Sequence, residues 1–151
     1  MENHTRHLFI LILVVGVILL GVYIFTSESK GGKSDAFNHG RQLVTEGKYE
    51  EAIAPLNAFL TNNPNHKNAS RAGLFLGKAY VALERYDEAE AAWEDTARIY
   101  PKTQEGHKCR YKTGFLQHIR GQDEKALETF RKMANKPDGP LAPEALAMAR
   151  Y

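Results

Sequence analysis

Thiols are nearly absent from this chain. Its single cysteine, Cys109, cannot close a disulfide within the chain and leaves the redox compartment unmarked. An excess of one charge is lacking as well: 20 Lys and Arg stand against 18 Asp and Glu, for a net charge of +2, and the cations are spread out instead of gathered in a run. That balance gives no nucleic-acid footprint, so no nucleic-acid partner is expected. Glycine loops that cradle phosphate, C-x-x-C-H haem sites and Ser-His-Asp nucleophile signatures are missing too. "GHKC" sets His107 and Cys109 two residues apart, which on a helix aims them to different sides, and no second ligand pair follows at metal spacing. Carboxylate neighbours such as Glu50 and Glu51, or Glu88 and Glu90, read as solubility charges on helix surfaces. Neither a catalytic residue nor a cofactor nor a metal is expected, and the chain is not read as an enzyme.

Charge deserts one stretch altogether. "LFILILVVGVILLGVYIF", Leu8 to Phe25, has no ionisable carboxylate, Lys, Arg or His. As a helix it would be roughly 27 Å long, close to the hydrocarbon thickness of a bilayer. The apolar run exceeds the roughly 7–15 residues of a signal-peptide core, and "FTSES" behind it offers no A-x-A-like cleavage site, so an uncleaved anchor is expected. No cysteine follows directly, which excludes a lipoprotein-type anchor. Gly16 and Gly21 are five apart, so the small-xxx-small pairing motif is absent. Arg6 flanks one side and Lys30, Lys33 and Arg41 the other, and this count does not orient the span. "TSESKGGKS" behind it has no apolar residue and reads as a flexible tether reaching roughly 15–18 Å.

Beyond the tether one pattern is spoken three times. "GRQLVTEGKYEEAI", "GKAYVALERYDEAE" and "GFLQHIRGQDEKAL" begin at Gly40, Gly77 and Gly114, 37 residues apart. Ala52, Ala89 and Ala126 keep the same register, as does the large apolar column Leu56, Trp93 and Phe130. Tyr49 and Tyr86 share a slot that Asp123 fills in the third copy, while Pro64 and Pro101 close the first two copies and Pro137 comes one residue early. A period of this size marks stacked helical hairpins. A hairpin buries only part of its apolar surface against itself, so the next must cover the rest; small columns let backbones approach and the large column fills the space beside them. "SRAGLFLGKAYVALE" is apolar on most faces and should be the most buried helix, capped by Asn68 or Ser70. Asp87 is the expected N-cap of the helix that follows. Pro55 falls inside the corresponding helix of copy one, where a kink and not a break is expected.

The order of small Gly77, aromatic Tyr80 and Tyr86, then Ala89, Trp93 and Pro101 resembles a tetratricopeptide repeat (TPR), and the resemblance covers Ser34 to about Asp138. It is specific in copy two, good in copy one and degraded in copy three. The period is 37 instead of the family's usual 34, with the extra residues expected around Asn65 to Asn68 and Lys102 to Glu105. The implied architecture is all-α: a transmembrane helix, then a right-handed superhelix of about three TPR hairpins and a capping helix. Its expected segments are a tail 1–7, a span 8–25, a linker 26–34, a repeat domain 35–138 (copies at about 34–67, 70–104 and 107–138) and a capping helix 143–151. "PEALAMARY", with Pro143 in its first turn, would form that last helix and could leave an apolar edge for self-association.

Longer-period repeats and phrases such as "YEEAIAPLNAFLTNNPN" are similar to bacterial envelope TPR proteins that serve outer-membrane assembly or the Tol-Pal system. That resemblance implies an inner-membrane anchor with the repeats in the periplasm. In the family the first helix of each hairpin lines a concave groove that binds protein partners. The implied lining residues here are Phe37, Arg41, Arg71, Leu74, Lys78, Lys108, Tyr111, Lys112, Phe115 and His118. Lys108 and Lys112 resemble the basic pair of the carboxylate clamp of some members, but Phe37, Arg41 and Phe75 depart from the rest of that motif, so a clamp is not expected. The leading expectation is a membrane-anchored interaction module whose partners share its membrane. The alternative is a small structural subunit of a larger membrane complex, held mainly by its span.

Overall fold

The computed structural model describes residues 15–16, 35–135 and 147–148. The chain divides into two compact units, Met1–Asp35 and Ala36–Tyr151. In the first, only Val15 and Gly16, which are helical, and Asp35 are described; the rest of the expected span and all of the linker lie outside the described residues. Among the described residues, no helix is long and apolar enough to cross a membrane.

The second unit is a row of helices: α1 (36–45), α2 (Tyr49–Asn62), α3 (Ala69–Ala82), α4 (Tyr86–Ile99), α5 (Gln104–Ile119) and α6 (Asp123–Ala134). No strand occurs among the described residues. Paired as α1/α2, α3/α4 and α5/α6, they realise the 37-residue register as three hairpins. Tyr49, Tyr86 and Asp123, the shared slot of the sequence, are the first residues of α2, α4 and α6. The hairpin turns share a backbone device: Gly47, Glu84 and Gly121, again 37 apart, all have positive φ, at 78°, 58° and 72°. A left-handed residue reverses the chain in minimal length, and glycine takes that conformation without a steric penalty.

The small and large columns pack against each other. Ala52 and Ala89 are fully buried and Ala126 nearly so, as are Leu56, Trp93 and Phe130. A Cβ on Gly40 would stand 2.8 Å from the Leu56 side chain, and one on Gly114 2.9 Å from the Phe130 ring. Each large side chain therefore occupies space that its paired glycine vacates. Burying one such side chain contributes about 1.5–3 kcal/mol. The core does not respect hairpin boundaries. Phe37, Ala52, Leu56, Phe59, Ala72 and Leu76 join α1, α2 and α3, while Leu74, Ala89, Trp93, Cys109 and Leu116 join α3, α4 and α5. Eight of the 14 residues of α3 are buried, more than in any other of these helices, as its apolar faces foretold.

Polar links reinforce the last two hairpins. Buried Gln117 donates from Nε2 to Glu90 at 2.7 Å and accepts from Thr129 at 2.9 Å, while Arg120 reaches Asp87 at 2.8 Å and Glu90 at 3.3 Å. Tying α4, α5 and α6 through one satisfied buried amide leaves no desolvated group unpaired in that chain of bonds.

Helix ends correct several expectations. Asp87 is not the N-cap of α4: Arg85 holds that place, and Asp87 sits in the first turn, where the helix dipole favours its carboxylate. The Ala89 N–H already closes on the Arg85 carbonyl at 3.0 Å, two residues earlier than the cap expectation required. At α3, Asn68 holds the cap position without a side-chain bond, and Ser70 is buried inside the helix. Helix α5 alone among α2 to α6 has a side-chain cap, Thr103, which accepts from the Gly106 N–H at 3.0 Å. Helix α2 runs unbroken through Pro55. The extra residues divide by location: those at 63–68 form a link, whereas Gln104 and Glu105 extend α5 to 16 residues. Of the expected capping helix only Ala147 and Met148 are described; both are helical, and Met148 packs on Ala126, Phe130 and Met133.

Candidate functional site

The first helices of the hairpins lie on the tighter side of the row. Helix α3 packs directly on α5, and the Phe37 and Phe75 rings link α1 to α3 at 6.4 Å. By contrast α2 and α4, and α4 and α6, hardly touch. An array whose first helices crowd and whose second helices splay is concave on the first-helix side.

One stripe on each first helix faces water there. On α3 the exposed residues are Arg71, Lys78 and Ala82, with Phe75 half-buried between them. Thirty-seven residues later the same positions on α5 are Lys108, Lys112, Phe115 and Ile119, and 37 residues earlier α1 presents Asn38, Arg41 and Thr45. Phe115 is 47% exposed and Ile119 58%. Arg41, Arg71, Lys78, Lys108, Lys112 and Phe115 thus stand where the sequence reading put them. Phe37, Leu74 and Tyr111 do not. They form the column one residue away, which turns inward: Phe37 and Leu74 are buried, the Phe37 ring lies 5.6 Å from that of Phe59, and Tyr111 packs 5.7 Å from Phe130. His118 belongs to a third column with Val44 and Val81, and it pairs with Asp123 at 2.7 Å. The reading left out Asn38 and Ile119 and named Phe75 only as a departure from the clamp, although stepping by 37 from Lys112 and by one helical face from Phe115 would have found them.

Charge and aromatic rings are interleaved along the stripe. The Lys78 ammonium sits 5.2 Å from the centroid of Phe75, and that of Lys112 5.6 Å from Trp93, distances at which a ring face attracts a cation. Burial, with the nearby Lys78 charge, lowers the Lys112 pKa below its ordinary value. Arg71 is engaged by Glu105 at 3.4 Å. Among the described residues Arg41, Lys78, Lys108 and Lys112 have no carboxylate partner. Such a surface can bind an anionic, partly apolar chain. No three His, Cys, Asp or Glu side chains cluster for a metal among the described residues.

A family model described as tetratricopeptide repeat matches residues 37–103 and again 74–143. No curated protein matches the chain. Among solved structures, two crystal structures of nearly identical TPR-like repeats from a putative kinesin light chain of Podosopora anserina, the first of a point variant, are similar, with TM-scores of 0.55 and 0.53 at 16% identity. The alignments cover 77% of this chain and 62% and 63% of those chains, so it spans about three fifths of their length. At that identity the likeness concerns the fold: an all-helical superhelix of repeats. The two overlapping matches together span more than half of the sequence and follow the three helix pairs, and the chain belongs to the tetratricopeptide-repeat family.

Proposed function

We propose that this chain is a non-enzymatic interaction module that docks a protein partner along the concave face of α1, α3 and α5. The carrying observation is the stripe of cations at repeat-equivalent positions, four of them without a carboxylate partner among the described residues, with the exposed apolar side chains of Phe115 and Ile119. Rim charges steer encounter and apolar contacts hold the complex, which suits an elongated protein segment better than a small molecule. The apolar stretch Leu8 to Phe25 supports a second part of the reading, that the module is held at a membrane. The similarity of its repeats to bacterial envelope TPR proteins supports an inner-membrane anchor with the repeats in the periplasm. A tether of nine residues would favour partners in the same membrane by raising their effective concentration.

The test is affinity purification of the full chain from its native membrane beside the variant Arg71→Glu/Lys108→Glu/Lys112→Glu. Docking on the concave face requires loss of a specific partner with helical content unchanged. Undiminished recovery would remove the groove from the account. Retention of every partner by this variant, with loss on exchanging Leu8 to Phe25 for another apolar helix, would identify a structural subunit held by its span. Release of the intact chain by alkaline carbonate would dismiss the anchor.

A further inference from the structure

The charges of the repeat domain are sorted by helix. Helix α3 has no carboxylate, and α5 has only Glu105, already engaged by Arg71. The second helices hold ten: two on α2, five on α4 and three on α6. On α6 Lys125, Arg131 and Lys132 balance the three carboxylates, so the near-neutral chain presents a positive inner side on α3 and α5 and a negative outer side on α2 and α4, which would repel the ligand that the inner side attracts.

The positive side has a centre. Lys78 and Lys112 stand on the concave-side stripes of α3 and α5, two helices that pack on each other, and each ammonium lies over a ring, of Phe75 or Trp93, instead of beside a carboxylate. Two ammonium groups on neighbouring helices with no carboxylate partner among the described residues, one of them half-buried, favour an anion laid between them. One and two turns further along α5, Phe115 and Ile119 offer apolar surface. The stripe continues past the pair in both directions, to Arg41 on α1 and to Ile119 on α5. A segment in it can run on at both ends and need not finish there.

We infer that the occupant of the concave face is an internal, acidic, extended protein segment, with a side-chain carboxylate between Lys78 and Lys112 and an apolar side chain on Phe115 and Ile119. This rests on the docking reading above and adds the chemistry of the partner. The pair at the centre and the apolar end give that segment a direction. Attraction of this kind weakens as salt is raised, because the pair is open to solvent on one side.

The experiment is a peptide array probed with the detergent-solubilised full chain. Linear peptides of one length, both amidated and with a free C-terminus, would carry Asp/Glu, Lys or Gln at each position with Leu or Phe scanned around it. Selection of amidated acidic peptides with a neighbouring apolar residue is expected. Lys78→Glu should weaken them about tenfold and improve the Lys-bearing counterparts. Lys78 is exposed and contributes little packing, so this variant keeps its fold, as circular dichroism would verify; Lys112→Glu is the second variant. Acidic peptides bound equally by the wild type and Lys78→Glu would overturn the inference, as would selection of free C-termini alone. Neutral apolar peptides selected as well as acidic ones, and lost in Phe115→Asp, would overturn the acidic rule while leaving the docking reading intact. Retention of no peptide would overturn both.

Discussion

Glu84 occupies a backbone position that its neighbours in the register give to glycine. With φ at 58°, its Cβ crowds the chain in a way that Gly47 and Gly121 avoid. Its side chain is exposed, so little is lost by removing it. Glu84→Gly is expected to raise stability by about 0.5–1 kcal/mol, the left-handed penalty less the added flexibility of the unfolded chain, measured by urea unfolding. Cys109 shows a different consequence of position. It is fully buried, and burial pushes its thiol up to about 12 from an ordinary 9.0. Since the unfolded chain loses this proton first, the thiol's contribution is constant below the ordinary value and declines as pH climbs from there towards the folded value. The slope is at most ~1.4 kcal/mol per pH unit. Cys109→Ala should flatten that decline in urea titrations at several alkaline pH values. At pH near 8, iodoacetamide should label Cys109 only in denaturant.

At the scale of elements, the approach of α3 to α4 depends on one missing methyl group. A Cβ on Gly77 would run into the Trp93 indole, whose Nε1 donates to the Leu74 carbonyl at 3.2 Å. Gly77→Ala must move the ring or part the helices. A loss of about 1–3 kcal/mol is expected, with a red shift of the single tryptophan's fluorescence as the indole meets water. The column of glycines, alanines and large residues was legible because a period of 37 aligns it. The caps were not. An Asp before an apolar run signals a start, yet α4 begins two residues sooner because Arg85 and its equivalents Lys48 and Gln122 follow the left-handed residue that fixes the turn. Turn geometry outranked side-chain capping there.

The molecule as a whole is stabilised by cores shared between neighbours, so its middle should be its firmest part. Among the described residues, hairpin α3/α4 is covered on both sides, whereas α1/α2 has a neighbour on one. Native-state hydrogen exchange is expected to be slowest in α3 and α4 and faster in α1, α2 and α6. Uniform protection across all six helices would mean that the hairpins unfold as one unit.

The sequence by itself determined the number of hairpins, their register and the residues that meet in the core, because a repeat whose contacts are to itself and its neighbours writes its packing as a period. It also set Arg41, Arg71, Lys78, Lys108 and Lys112 on the first helices of their hairpins. Which of two adjacent columns faces water was decided only in three dimensions. Phe37 and Asn38 differ by one residue, about 100° around a helix, and periodicity gives both the same spacing. The choice follows from where α3 settles between α1, α4 and α5, burying Leu74 and leaving Lys78 on the concave side. That Lys78 and Lys112 stand on neighbouring stripes was likewise invisible in the chain, since it depends on the packing of α3 on α5.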